Sequence, residues 1–247
     1  MKQSAVDVFV TFTTKFEGRV NSMYLDLHIP DPLVTIGVGN LIDPLSMALV
    51  LPFVWPDGRR ATPAEITAAW QAVKGRVDLA KVGFRAFEAI TPLRLTDDSV
   101  ADLVRGRMQT NEKFLLTRFP DWDAWPADAQ LAMHSISWAA GAGIHAPHLQ
   151  EALTASPPRF DIAAGLDGDA NTTPACRGEA WLHDATISSA PGVSPIIEKL
   201  TNPGLRPRNL ANKLLFANAQ AVESQGLDPE ILQWPNAVRA TPPADIS

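Results

Sequence analysis

Residues 16–39 read Phe16-Glu17-Gly18-Arg19-Val20-Asn21-Ser22-Met23-Tyr24-Leu25-Asp26-Leu27-His28-Ile29-Pro30-Asp31-Pro32-Leu33-Val34-Thr35-Ile36-Gly37-Val38-Gly39, a helix end followed by a β-hairpin. Upstream, Val6, Phe9, Val10, Thr13 and Phe16 recur at the three-and-four spacing of one helix face, and Gly18 stands where such a helix stops. Glu17 then belongs to the last turn. Residues 23–27 and 34–38 are β-prone, and Pro30-Asp31-Pro32 splits them as a widened hairpin loop. Asp26 falls on the first strand and Thr35 on the second.

Outward from the hairpin, helical patterns dominate. Residues 44–61 form an apolar, proline-punctuated insert, with Asp57-Gly58 a tight turn between Val50-Leu51 and Arg59-Arg60. Thr62-Pro63-Ala64-Glu65 opens a helix to Lys74: the threonine caps, proline suits the first turn, and glutamate bonds back to the cap. Thr96-Asp97-Asp98 opens another that reaches Leu116, its acids meeting the positive end of the helix dipole. A helix from Pro126 to Gly141 is apolar on most sides and therefore buried. Shorter helices are predicted at 149–153, 160–165 and 196–200, and a longer one at 209–222. Prolines 229, 235, 242 and 243 make the residues after Gly226 a peripheral wrap or mobile tail. The predicted class is α+β, mostly helical, with a catalytic domain over 1–226 (hairpin lobe about 18–61, helical lobe about 62–226) and a tail over 227–247.

Bulk composition narrows the function classes. The 247 residues are 46% hydrophobic and 19% charged, as in ordinary globular proteins. No run approaches the roughly 18 apolar residues of a membrane span. A net charge of −6 gives no electrostatic footprint for nucleic acid. The N-terminal apolar run 5–10 is short and interrupted by Asp7, so no signal peptide is expected. Cys176 is alone, which leaves no intramolecular disulfide and reads as a packing residue.

Hydrolysis of a glycoside needs one group to protonate the leaving oxygen and a second carboxylate to drive water, or itself, onto the anomeric carbon. Glu17 and Asp26 can fill these roles, with Phe16 expected to help desolvate Glu17 and Asp26 expected to stay ionised at a cleft edge. Thr35 supplies a hydroxyl to hold a water. Gly37 and Gly39 let a bulky polysaccharide approach the backbone. No cofactor or metal is required.

Phe16-Glu17-Gly18, Tyr24-Leu25-Asp26 and Thr35-Ile36-Gly37-Val38-Gly39 resemble the N-terminal signature of phage-type lysozymes, whose catalytic glutamate, aspartate and threonine follow this order with the same eight-residue gap between the first two. Residues 130–141 and Gly204-Leu205-Arg206-Pro207-Arg208-Asn209 are similar to two later segments of the helical lobe. The resemblance implies a small hairpin lobe and a larger helical lobe with a cleft between them. It further implies hydrolysis between N-acetylmuramic acid and N-acetylglucosamine in peptidoglycan and favours an inverting route, with retention the outcome if the carboxyls lie about 5–5.5 Å rather than about 6.5–9.5 Å apart. Arg206 and Arg208 would either contact the anionic glycan, with Arg208 the expected substrate-binding residue, or pair within the helical lobe. The chain departs from the family where Asn40 replaces a histidine, Ala139 an asparagine, Asn209 an arginine and Asn212 a glutamate. The interval from Asp26 to Thr35 is three residues longer than the family's, and it places Asp31 as the rival second carboxylate.

The expected partner is the glycan strand, met by a monomer made in the cytoplasm and acting on the wall. Access would come through a holin or a secretion machine, and in the latter case the producer would carry an immunity protein. The alternatives are a non-catalytic glycan-binding or structural tail or spike protein of the same fold, and a lytic transglycosylase or chitinase-like enzyme. Residues 167–173 alternate oxygens as a calcium loop does but lack its central glycine, so a solvated acidic turn is the preferred reading. His145 and His148 read as surface loop, His134 as core, and the seven tryptophans mostly as core.

Overall fold

The computed structural model describes residues 1–26, 31–143, 146–164 and 206–238. Among these the chain is mostly helical with one three-stranded antiparallel sheet in the order β1-β2-β3, an α+β fold. The elements are α1 (Gln3–Glu17), β1 (Val20–Asp26), β2 (Leu33–Gly37), β3 (Asn40–Leu41), α2 (Leu45–Leu49), α3 (Pro63–Lys74), α4 (Asp97–Arg118), α5 (Ala127–Ala140), α6 (Pro147–Thr154), α7 (Phe160–Ala163) and α8 (Arg206–Gln225). Cys176, the 167–173 loop, His145, Trp181 and the 196–200 helix lie outside the described residues. The chain divides into two compact units, Val10–Arg107 and Met1–Phe9 with Met108–Ser247.

In the first unit, β1 and β2 place Met23, Leu25, Val34 and Ile36 on one buried face. The sheet is tied to α3 by polar contacts. Trp70 Nε1 donates to Ile42 O at 2.9 Å, and Lys74 Nζ pairs with Asp43, whose carboxylate also accepts from Val34 N. These contacts make this unit larger than the 18–61 hairpin span. The helix α3 begins with the predicted capping box, Glu65 N on Thr62 Oγ1 and Thr62 N on the Glu65 carboxylate. Thr96 caps α4 through Ser99 N, and α4 runs two residues beyond the predicted end. The Asp57-Gly58 turn forms, with Gly58 at φ +85°, but it joins Val54-Trp55 to Arg59-Arg60, because α2 and the bend after it take up residues 45–51.

The buried face of α1 also differs by one step from the expected one. It is Ala5, Phe9, Phe12 and Thr13, with Phe16 half-buried at its rim.

In the second unit, α5 is buried from Ala127 through Trp138, as its apolar pattern predicts. Trp122, Trp125, Phe119, Phe160 and Phe216 form an aromatic core. Residues 227–238 are a strap rather than a mobile tail. The Asp128 carboxylate accepts from Gln233 N, Trp234 N and Asn218 Nδ2, and Ala127 N donates to Pro229 O. Ser4 and Lys2 fix the same strap near Glu230.

Candidate active site

Glu17 is the last residue of α1, and the chain leaves the helix through Gly18 at φ +74°, whose N–H closes on Thr14 O at 2.9 Å. The side chain is exposed. Phe16 meets Phe12 edge-on, with centroids 5.0 Å apart, and does not enclose Glu17, whose side chain stays exposed. The Glu17 carboxylate instead lies beside the glycine turn: a β-carbon built on Gly39 would sit 3.9 Å from Glu17 Oε2.

The register of the sheet settles the relation of Asp26 to Thr35. Asp26 pairs with Leu33 and Tyr24 with Thr35, so all four side chains share one face and Asp26 is the diagonal neighbour of Thr35. The described ladder runs to Asp26 and Leu33, so the longer interval does not carry Asp26 away from Thr35. Asp26 is exposed at the strand end, and Asp31 is exposed in the bend before β2, beyond the last pair of the ladder. Thr35 is only 3% exposed, and its hydroxyl donates to Leu33 O at 3.1 Å. Its oxygen keeps acceptor capacity.

Tyr24 is the residue that sequence reasoning passed over. Burial raises its hydroxyl well above the ordinary tyrosine value, and the carboxylates of Asp26 and then Glu17 add to that effect. A phenol so placed reports that both carboxylates are near it. The available signal was its position two residues before Asp26 on a strand, which puts both on one face.

Gly37 and Gly39 do different work. Gly37, at φ +69°, is buried, and an added β-carbon would meet Asn40 Oδ1 at 3.0 Å and the side chains of Val100 and Leu103. It shapes the turn and offers no open backbone to a polysaccharide. Asn40 accepts from Val38 N at 3.1 Å, which holds the same turn. Gly39 is half-buried, and its carbonyl accepts from Arg107 Nη1 at 2.9 Å. Arg107 therefore braces the backbone that borders Glu17. Arg208 belongs to the other unit and is 2% exposed, so it has almost no surface with which to meet a glycan.

Glu17, Tyr24, Asp26, Thr35, Gly39 and Arg107 thus all lie in the 10–107 unit. Chemically they offer two exposed carboxylates, a phenol near both, and a hydroxyl on the same sheet face. Among the described residues no group of three His, Cys, Asp or Glu side chains could hold a metal ion, and no helix is long and apolar enough to cross a membrane. No protein-family model matches the chain, and neither a curated protein nor a solved structure matches it.

Proposed function

We propose that this chain is a lysozyme-like glycoside hydrolase that cleaves peptidoglycan glycan strands between N-acetylmuramic acid and N-acetylglucosamine. Glu17 protonates the leaving oxygen, and Asp26 directs a water to the anomeric carbon with Thr35 beside it. The observation that carries this reading is the gathering of Glu17, Asp26 and Thr35 about Tyr24 in one unit, by a helix end and a hairpin register. Its support from sequence is the resemblance of residues 16–39 to the phage-type lysozyme signature.

A general acid contributes about 10²–10⁴-fold to rate. Glu17→Gln should therefore reduce lysis of purified sacculi by at least about 10²-fold while the circular dichroism spectrum stays that of the parent. Full activity in that variant removes Glu17 from the mechanism. Mass spectrometry of the digest fixes the bond and the chemistry together: reducing muramic acid ends mean hydrolysis, and anhydro ends mean a transglycosylase. Proton NMR of the first product anomer separates inversion, expected for carboxyls about 6.5–9.5 Å apart, from retention at about 5–5.5 Å. Binding to sacculi without release of any fragment would assign the chain to the non-catalytic alternative.

A further inference from the structure

The segment from Val77 to Phe87 carries a surface with no part in the reaction just described. It is anchored by Ala80 and Phe87, both buried, and turns at Gly83, whose φ of +103° is open to glycine and strained for other residues. Arg94 holds its return through the carbonyls of Glu88 and Thr91. What this anchored loop exposes is unusual in kind. Phe84 is 39% exposed, with Val82 at 70% beside it and the cations Lys81 and Arg85 on either side.

The position of Phe84 matters as much as its exposure. Its ring meets Tyr24 in a T-shaped contact with centroids 6.3 Å apart, and Tyr24 shares a sheet face with Asp26 and Thr35. Phe84 therefore stands one aromatic ring away from the candidate carboxylates. The Arg85 guanidinium lies 5.8 Å from the Phe84 ring centroid, and among the described residues it forms no ion pair. A partly exposed aromatic ring and a cation with no ion pair among the described residues, on a loop anchored at both ends beside a glycosidase-like site, match an acidic sugar better than a neutral one. Aromatic rings bind the apolar faces of hexoses, and a guanidinium binds a carboxylate through paired N–H donors.

We propose that Phe84 and Arg85 form a sugar-binding subsite adjoining the carboxylates, in which Phe84 stacks on one hexosamine ring of the glycan and Arg85 donates to the carbonyl oxygens of its lactyl ether, a carboxylate where the strand is free of stem peptide and an amide where one is attached. This inference rests on the peptidoglycan reading above and names how that substrate is told from a neutral N-acetylglucosamine polymer.

The test uses the full chain carrying Glu17→Gln, so that ligand survives the titration. Calorimetry is run with a peptide-free tetrasaccharide containing muramic acid and with a neutral β-1,4 N-acetylglucosamine hexamer. The Glu17→Gln chain should bind the acidic ligand more tightly. Adding Phe84→Ala should weaken both ligands by about three- to tenfold. Adding Arg85→Gln should weaken the acidic ligand alone, by about two- to fivefold. Phe84→Leu, which keeps apolar volume in the loop, should bind as poorly as Phe84→Ala.

Unchanged binding in the Phe84 and Arg85 variants, parent-like binding by Phe84→Leu, or no binding of either sugar by the Glu17→Gln chain would each overturn the subsite. The parent reading fails by a different sign, fragment release from sacculi by Glu17→Gln itself, so the two failures cannot be confused.

Discussion

Tyr24 is the only tyrosine of the chain, so its ionisation can be followed by ultraviolet absorbance without interference from another phenol. Burial first, then Asp26 and Glu17, raise its native value above the usual 10. The native state consequently keeps a proton that the unfolded chain gives up. The stability this contributes is full below about pH 10 and is lost as pH rises from there toward the native value. In the folded protein the tyrosinate band should therefore emerge only above the ordinary range. Asp26→Asn and Glu17→Gln should each shift its onset downward by part of the total, because burial remains in both variants. If neither substitution moves the titration, the two carboxylates do not share the phenol's surroundings, and the candidate site loses the residue that links its halves. Glu17 and Asp26 stood out in the sequence as candidates by their spacing together with the Thr35-Ile36-Gly37-Val38-Gly39 strand that follows them. Tyr24 and Arg107 did not, because their roles arise from partners brought in by tertiary structure.

At the scale of elements, the turn between β2 and β3 concentrates the structural demand. Gly37→Ala would place a β-carbon 3.0 Å from Asn40 Oδ1 at a φ that L residues disfavour, and Asn40 cannot yield without releasing Val38 N. A loss of about 1–3 kcal/mol is expected in urea unfolding. Gly18→Ala is the internal comparison, since its φ is similarly positive but nothing lies within 4 Å of the added carbon. It should cost only the backbone term, about 1–2 kcal/mol. Equal losses at the two sites would mean that Asn40 adapts. Elements whose signals are local were readable in advance: the capping box of α3, the acidic start of α4 and the apolar run of α5 each specify themselves within a few residues. The helix α2, the burial of Thr35 and the shifted face of α1 were not, because each depends on which distant residues close over it. The hairpin lies between these cases. Its strands were legible from β propensity, whereas the pairing of Asp26 with Leu33 needed the ladder itself.

At the scale of the whole molecule, stability in acid should be governed by a histidine that takes no part in the proposed chemistry. His134 lies on α5 with no exposed surface, its ring edge-on to Phe9 and Trp122. Among the described residues neither ring nitrogen has a hydrogen-bond partner. Burial, with a smaller push from the N-terminal ammonium, lowers its native value to about 3 from the ordinary 6.5. Between those values the unfolded chain binds a proton that the native state refuses, so stability falls as pH is lowered, by about 1.4 kcal/mol per unit. Asp128 and Glu223 act in the opposite sense. Burial raises both, their native forms hold protons more firmly, and the stability they contribute is lost as pH rises above the ordinary carboxyl range. The lowered carboxylates Asp78 and Asp161 add an acid loss that falls mainly below about pH 4. These carboxyls are common to the parent and to a His134 variant, so the difference between the two proteins from pH 6.5 to 4.5 isolates the histidine. His134→Leu fills the same apolar site without a titrating group, and it removes two buried nitrogens that have no partner among the described residues. The parent should lose about 2–3 kcal/mol more than this variant over that interval, read as the difference in urea unfolding free energies. Parallel losses in the two proteins would mean that the native state admits the proton, through water or local opening of α5, and that its acid sensitivity has another origin.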